Sequence, residues 1–353
     1  MSKSFSLSQL GWRPCFSQQL TLEELESGSP ARVTSVHRGA VVVRDESGEH
    51  SVTLSGALSS NMASTVTVGD WVMVSNSAPR ISRVLQRFSL ISRLGAGTRQ
   101  DVQPIAANLD TLFIVTSCND DFNPSRLERY LAVALEAKVE PVIVLTKADL
   151  CSDVDRFSDE ASRVGSRHSV LALNATTDEA ARRLAPWLDS GQSVAFVGSS
   201  GVGKSTLVNS LTGVAVMATA GIREDDAKGR HTTTSRQLLP MPSGAWLMDT
   251  PGMRELRIGA VEAGISAVFT DIETLARSCR FNDCNHQGDE GCALWAAVAS
   301  GHLEKRRVKS YLKLLREAAN AALTLHERHA RDRRFGKLRN QANEKLKRRR
   351  ELK

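Results

Sequence analysis

Five short β-branched runs in under sixty residues, then apolar runs alternating with amphipathic stretches around a glycine-rich turn, then three cysteines and a histidine in one polar loop, predict a multidomain chain. The expected parts are a small β-barrel, an α/β domain with a parallel sheet, and an α-helical C-terminal domain tied to a metal. At 353 residues the chain is long enough for two or three domains with their own cores. No run approaches the roughly 18 apolar residues of a membrane span, and residues 1–30 lack the apolar segment of a signal peptide. No membrane partner and a cytoplasmic location are therefore expected. The formal charge of +7 is unevenly placed, because residues 328–353 hold twelve Lys/Arg against Asp332, Glu344 and Glu351. The rest of the chain is slightly acidic, and a basic tail of this kind attracts a polyanion by counterion release.

Residues 1–30 are Ser- and Gln-rich with a short apolar patch at Leu22–Leu25, and read as an extension that is mobile unless docked. The barrel is expected over residues 31–88, from the runs Ala31–Val36, Ala40–Val43, Ser51–Leu54, Val66–Val74 and Ile81–Leu85. Five such strands fit an OB-fold, which often binds oligonucleotides, although few aromatics are available for stacking and a purely scaffolding barrel explains the runs equally well. Residues 89–110 read as a polar connection broken at Gly95, Gly97 and Pro104. The period then changes. Leu112–Thr116, Val142–Leu145 and Val170–Leu173 read as strands, and Leu127, Tyr130, Leu131, Ala134 and Leu135 make one helical face. Residues 89–260 are thus expected to form a parallel α/β domain with its ligand at the carboxyl ends of the strands.

The run Val194–Val197 leads into Gly198-Ser199-Ser200-Gly201-Val202-Gly203-Lys204-Ser205-Thr206, and Leu207–Leu211 continues as a helix. In that setting backbone N–H groups converge on phosphate oxygens. Gly198 and Gly203 allow close approach, Lys204 neutralises the β and γ phosphates, and the Ser205 hydroxyl takes a Mg²⁺ between them. A nucleoside triphosphate is expected here. Upstream, Thr146-Lys147-Ala148-Asp149 ends the second strand. Asp149 can accept paired hydrogen bonds from guanine N1–H and its exocyclic amine, while the Lys147 stem packs along the base. Alone the tetrapeptide reads as a cap or turn; with the phosphate loop downstream it favours guanine over adenine. Past the loop, one threonine of Gly229-Arg230-His231-Thr232-Thr233-Thr234 can join Mg²⁺. Asp249-Thr250-Pro251-Gly252 then offers Asp249 as an outer Mg²⁺ carboxylate and the Gly252 N–H as a γ-phosphate sensor.

Cys15, Cys118 and Cys151 are scattered and read as ordinary thiols, whereas Cys279, Cys284, His286 and Cys292 fall within fourteen residues. Three thiols and an imidazole match a closed, tetrahedral structural Zn²⁺ site, so a zinc-binding helical domain is expected over residues 261–327. Helical periodicity resumes at Val308, Tyr311, Leu312, Leu315, Ala319 and Ala322, expected to pack against the metal loop. The basic segment 328–353 has too few apolar residues for a core and suits RNA contact or simple solvation.

The order of these motifs carries a resemblance. A guanine tetrapeptide at Thr146–Asp149 ahead of the phosphate loop at Gly198–Thr206, then His231–Thr234, then Asp249–Gly252, is similar to the circularly permuted GTPases of the RsgA/YjeQ family, bacterial factors for late assembly of the small ribosomal subunit. The resemblance runs from about residue 31 to about residue 325 and takes in the cysteine spacing. It implies GTP hydrolysis with Mg²⁺, one structural Zn²⁺, and stimulation by the small subunit and its rRNA, contacted through barrel, zinc domain and tail; separately, a monomer is expected. It implies release of the factor on hydrolysis. It also picks Thr233 as the Mg²⁺ ligand, with Thr232 and Thr234 as alternatives, and His231 as the residue that positions water. Two departures stand out. Thr146 occupies a position where many GTPases have asparagine, and Met253 replaces the water-orienting glutamine of Ras-like enzymes. Two rivals remain: an RNA-binding assembly protein with the nucleotide as a latch, and a P-loop kinase, which Asp149 argues against.

Overall fold

Strand β1 (Gly28–His37), buried from Ala31 to Ser35, joins two parts of the molecule. The structure, a computed structural model, describes residues 4–37, 40–54, 66–94, 102–165, 167–213, 236–249 and 261–322. β1 pairs antiparallel with β2 (Ala40–Asp45), and β2 with β3 (Gly48–Leu54). β4 (Trp71–Ser75) pairs with both β1 and β5 (Arg80–Val84), and β5 runs parallel to β3. This closes a five-stranded barrel around Val33, Val41, Val43, Val72 and Ile81. The run Val66–Val74 divides in two. The buried Asp70 carboxylate accepts the Thr67 N–H at 2.7 Å and pairs with the Arg87 guanidinium, which fixes a turn, and the chain extends only from Trp71.

Residues 89–110 are more than a connection. β6 (Leu90–Leu94) and β7 (Val102–Ala107) form a two-stranded antiparallel sheet, and Pro104, lacking a donor, sits beside its register shift. The N-terminal segment is docked. Ahead of α2 (Leu22–Ser27), Leu10 and Phe16 of the stretch around α1 (Pro14–Ser17) are fully buried, and Trp12 meets Trp71 edge-on with centroids 4.7 Å apart. Its aromatic residues follow no strand or helix period, which is why pattern alone leaves it undocked.

The α/β domain contributes β8 (Thr111–Ser117), β9 (Glu140–Thr146), β10 (Ser169–Ala172), β11 (Ser193–Val197), β12 (Arg236–Pro240) and β13 (Trp246–Asp249). They are ordered β10-β9-β8-β11-β13-β12, parallel except for β12. β12 also pairs with β1 at Val36–Arg236 and Ser35–Gln237, so one eleven-stranded sheet runs from the α/β domain into the barrel. Arg32, fully buried, reinforces this seam by donating to the Leu10 carbonyl and, at 2.6 Å, to the Ser193 hydroxyl at the start of β11.

Around the sheet lie α3 (Pro124–Glu136), α4 (Val154–Val164), α5 (Asp178–Leu184) and α6 (Lys204–Thr212). Asn123 starts α3 by accepting the Arg126 N–H, with Pro124 at the first helical position. α3 is enclosed because the sheet covers one side and α7 (Glu262–Val268) the other. A Cβ on Gly264 would lie 1.9 Å from the Ala132 carbonyl oxygen, so α7 approaches as closely as backbone allows. α8 (Thr270–Ala276), α9 (Ala293–Ala299) and α10 (Lys305–Ala322) complete the C-terminal part. α10 buries Val308, Tyr311, Leu314 and Ala318 while Ala319 is exposed, a stripe shifted from the expected one because α10 leans on α3 and α7 as well as the metal loop. The fully buried Glu128 of α3 accepts from Arg306 at 3.1 Å and Arg307 at 3.3 Å of α10. Among the described residues no helix is long and apolar enough to cross a membrane.

Candidate nucleotide site and metal centre

Strands β8, β9 and β11 end side by side, with Ser117 opposite Thr146 and Ile114 opposite Val197. The phosphate-loop residues leave the sheet at this edge. Gly198 has φ +148°, and a Cβ there would lie 2.1 Å from the Val115 carbonyl oxygen, so no other residue fits. Gly203, at φ +88°, precedes α6, whose first turn holds Lys204, Ser205 and Thr206. The Lys204 ammonium donates to the Ser199 carbonyl within the loop. Ser200 and Gly201 are exposed at the loop's tip, while Val202 is buried beneath it.

The guanine tetrapeptide meets this loop directly. Thr146 is fully buried, with its hydroxyl 2.5 Å from the Val202 carbonyl oxygen and 3.1 Å from that of Thr116. Threonine in place of asparagine therefore supplies a link between the two motifs. Lys147 follows in the left-handed region (φ +57°), turning the chain into the 3-10 turn Ala148–Leu150 and leaving Asp149 exposed at the sheet edge. Asp249 ends β13, the strand beside β11, opposite Gln237 of β12. His231, Thr233 and Gly252, with Thr232 and Thr234, lie outside the described residues.

Two contributors escape sequence reasoning. Arg126, in the first turn of α3, donates to the Ser199 hydroxyl of the phosphate loop. The loop Asn174–Thr177 follows β10 and begins beside Thr146, since the Leu173 N–H donates to the Leu145 carbonyl; Asn174 Oδ1 then accepts the Thr176 N–H at 2.9 Å. The Asn123-Pro124 helix start after β8 was the available signal for Arg126, because it places the first turn of α3 at the ligand edge. Nearby, burial first and then Cys151 push the Cys118 thiol up to about 11, so it stays protonated.

The second site is the cysteine loop. The ligand atoms of Cys279, Cys284, His286 and Cys292 all lie within 4.8 Å of one another. His286 Nδ1 stands 3.6, 3.4 and 3.5 Å from the sulfurs of Cys279, Cys284 and Cys292. A tetrahedron with metal–sulfur bonds of about 2.3 Å and metal–nitrogen bonds of about 2.0 Å has N···S edges of roughly 3.5 Å, so the four groups fit one metal ion. The supports are local. His286 has φ +57°, and the Trp295 indole N–H holds its carbonyl at 2.8 Å. Cys292 precedes α9, whose first N–H, from Ala293, points at Cys279 Sγ at 3.3 Å. Without a cation the Cys284 thiol is pushed up to about 12, by desolvation first and then by hydrogen bonds with Cys292, Asp289 and Cys279. A metal ion inverts that balance by binding thiolates.

A guanine tetrapeptide upstream of the phosphate loop on one parallel sheet, with a barrel before and a Cys3His centre after, defines a circularly permuted P-loop GTPase. A family model described as RsgA GTPase matches residues 84–259, and one described as 50S ribosome-binding GTPase matches residues 193–347. The small ribosomal subunit biogenesis GTPase RsgA 2 of Vibrio parahaemolyticus is 49% identical over 349 residues, covering 99% of this chain and 96% of the relative. The corresponding GTPase of Mesorhizobium japonicum is 44% identical over 316 residues, covering 89% and 90%. The chain belongs to the RsgA family of GTPases. Among solved structures, YjeQ from Thermotoga maritima superposes with a TM-score of 0.61 at 26% identity, covering 82% of this chain and 98% of that one. The circularly permuted GTPase YloQ shares the fold, with a TM-score of 0.57 at 21% identity over 84% and 96% of the two chains.

Proposed function

We propose that the chain hydrolyses GTP, bound with Mg²⁺, to GDP and phosphate by attack of water on the γ phosphorus, in the service of small ribosomal subunit maturation. Lys204 and the N–H groups of Gly198–Ser205 stabilise the charge on the transferring phosphoryl group. Lys147 and Asp149 select guanine. Ser205 and Thr233 ligate Mg²⁺, Asp249 supports its outer shell, and the Gly252 N–H reads the γ phosphate. His231 orients water, a task that the thioether of Met253 cannot perform. Cys279, Cys284, His286 and Cys292 hold a structural Zn²⁺; four ligands leave no open position for catalysis there.

The relatives' names support the small subunit as partner. Barrel, zinc domain and the basic segment 328–353 contact its rRNA, and the chain works as a cytoplasmic monomer. The subunit stimulates hydrolysis, and hydrolysis releases the factor. The observation that carries this reading is the Thr146–Val202 contact, which joins the guanine tetrapeptide to the phosphate loop in permuted order. Its test is GTP and ATP hydrolysis by the purified protein, alone and with isolated small subunits, beside Lys204→Ala. GTP-selective stimulation that the variant lacks is expected. Tight subunit binding without stimulation would instead establish the latch, and equal use of ATP would remove the guanine assignment.

A further inference from the structure

Beside the phosphate loop, α3 and α10 enclose a groove of about 610 Å³ whose charged lining is entirely basic: Arg126 and Arg129 from α3, and Lys305, Arg306, Lys309 and Lys313 from α10. Two of these charges are answered within the fold, Arg306 by Glu128 and Arg129 by Glu317. Lys305, Lys309 and Lys313 are exposed and have no ion pair among the described residues. They recur every four residues, so they stack along one helix face at steps of roughly 6 Å. Like charges at that spacing repel one another and weaken the helix that carries them. The core of α10, through Val308, Tyr311 and Leu314, does not need them.

We infer that this groove binds the sugar–phosphate backbone of an RNA strand, an inference that rests on the partner being an RNA-containing particle. A row of point-charge ammonium groups at even steps suits successive phosphates, and a concave wall focuses its field. An acidic protein surface would need aromatic or apolar anchors at the centre of the contact, and the lining has none beyond the buried Leu314. The absence of a stacking aromatic in this lining also makes the contact backbone-directed and independent of base sequence. At one end of the groove Arg126 touches Ser199, so a docked strand lies against the phosphate loop. In sequence, residues 328–353 add twelve Lys/Arg to the basic character of this part of the chain.

The test compares the full-length protein with the triple variants Lys305→Ala/Lys309→Ala/Lys313→Ala and Lys305→Arg/Lys309→Arg/Lys313→Arg. Each is titrated with isolated small ribosomal subunits and with deproteinised small-subunit rRNA at several salt concentrations, and basal GTP hydrolysis reports an intact fold. The alanine variant should bind both probes at least tenfold more weakly and lower the slope of log affinity against log salt by about 2, while the arginine variant matches the parent. Unchanged rRNA affinity and salt slope in the alanine variant overturn the inference. If subunit affinity alone falls, the groove meets protein, and the RNA assignment is equally overturned. A parent that binds rRNA through this groove but shows no subunit-stimulated hydrolysis would count against the proposed function and leave the groove in place.

Discussion

Thr146→Val removes one hydroxyl from the junction between the guanine tetrapeptide and the phosphate loop while keeping the side chain's shape. The hydroxyl lies 2.5 Å from the Val202 carbonyl oxygen in a fully buried position, so its loss strips a partner from a carbonyl that water cannot reach. Such a deletion costs about 1–2 kcal/mol. If the contact holds the loop in its phosphate-binding form, that energy appears as roughly 5- to 30-fold weaker GTP binding. Thr146→Ser keeps the donor and should bind within about threefold of the parent, which is under 1 kcal/mol. Thr146→Asn installs the residue common in other GTPases yet should also weaken binding, because a Cβ on Gly203 would already lie 3.4–3.8 Å from the threonine side chain and a larger amide crowds the loop. Equilibrium titration with a fluorescent GTP analogue measures all three, with thermal unfolding as a control for the fold. Parental affinity in Thr146→Val would refute the idea that this hydroxyl holds the loop.

Two further perturbations test the parts around that junction. Glu128→Ala takes the shared buried carboxylate from Arg306 and Arg307, leaving them Glu304 and Asp271 as ion-pair partners, and should cost about 2–4 kcal/mol, seen as faster amide exchange in α10 with β8 and β11 unchanged. Burial is the largest influence on Glu128 and raises its pKa, so the charged form is the costly one as pH rises; Glu128→Gln should lose less than Glu128→Ala, and equal exchange in parent and Glu128→Ala would show that the pairing does not anchor α10. Thiol labelling at pH 8 should modify the exposed Cys15 readily and spare Cys118, whose pKa of about 11 keeps it a thiol until the pH climbs well past that of an ordinary cysteine. Adding a chelator should open the cysteine loop to the reagent, with Cys284 the slowest to react because its thiol is pushed up to about 12 once the cation is gone, and labelling of the loop that ignores the chelator would exclude the metal centre.

Much of this was legible because residue type and position carried it together. Gly198 and Gly203 mark positive-φ backbone that side chains rarely adopt, and Cys279, Cys284, His286 and Cys292 crowd fourteen residues of a polar loop. The strands β8 and β9 were equally plain, since both faces are buried and both read as unbroken apolar runs. What stayed hidden depends on partners far along the chain. The turn at Val66–Asp70 looks like strand until Arg87 arrives to satisfy Asp70, and the docking of Leu10 and Phe16 needs Trp71 and the sheet seam. Arg126 and Glu128 read as two charges on an ordinary helix surface, but Glu128 points into the α10 contact and Arg126 into the phosphate loop. Periodicity assigns a residue to a face of its own helix and is silent about what packs there.

The seam between barrel and α/β sheet has a mechanical meaning. Turning the barrel relative to the phosphate loop would break the Ser35–Gln237 pairing, pull Arg32 from Ser193, and detach the Trp246 indole from the Gln9 carbonyl it holds at 2.7 Å. These ties are main-chain pairing and buried polar contacts, which fail together. The barrel is accordingly tied to the nucleotide domain, and a surface meeting both has to match the angle that these ties set.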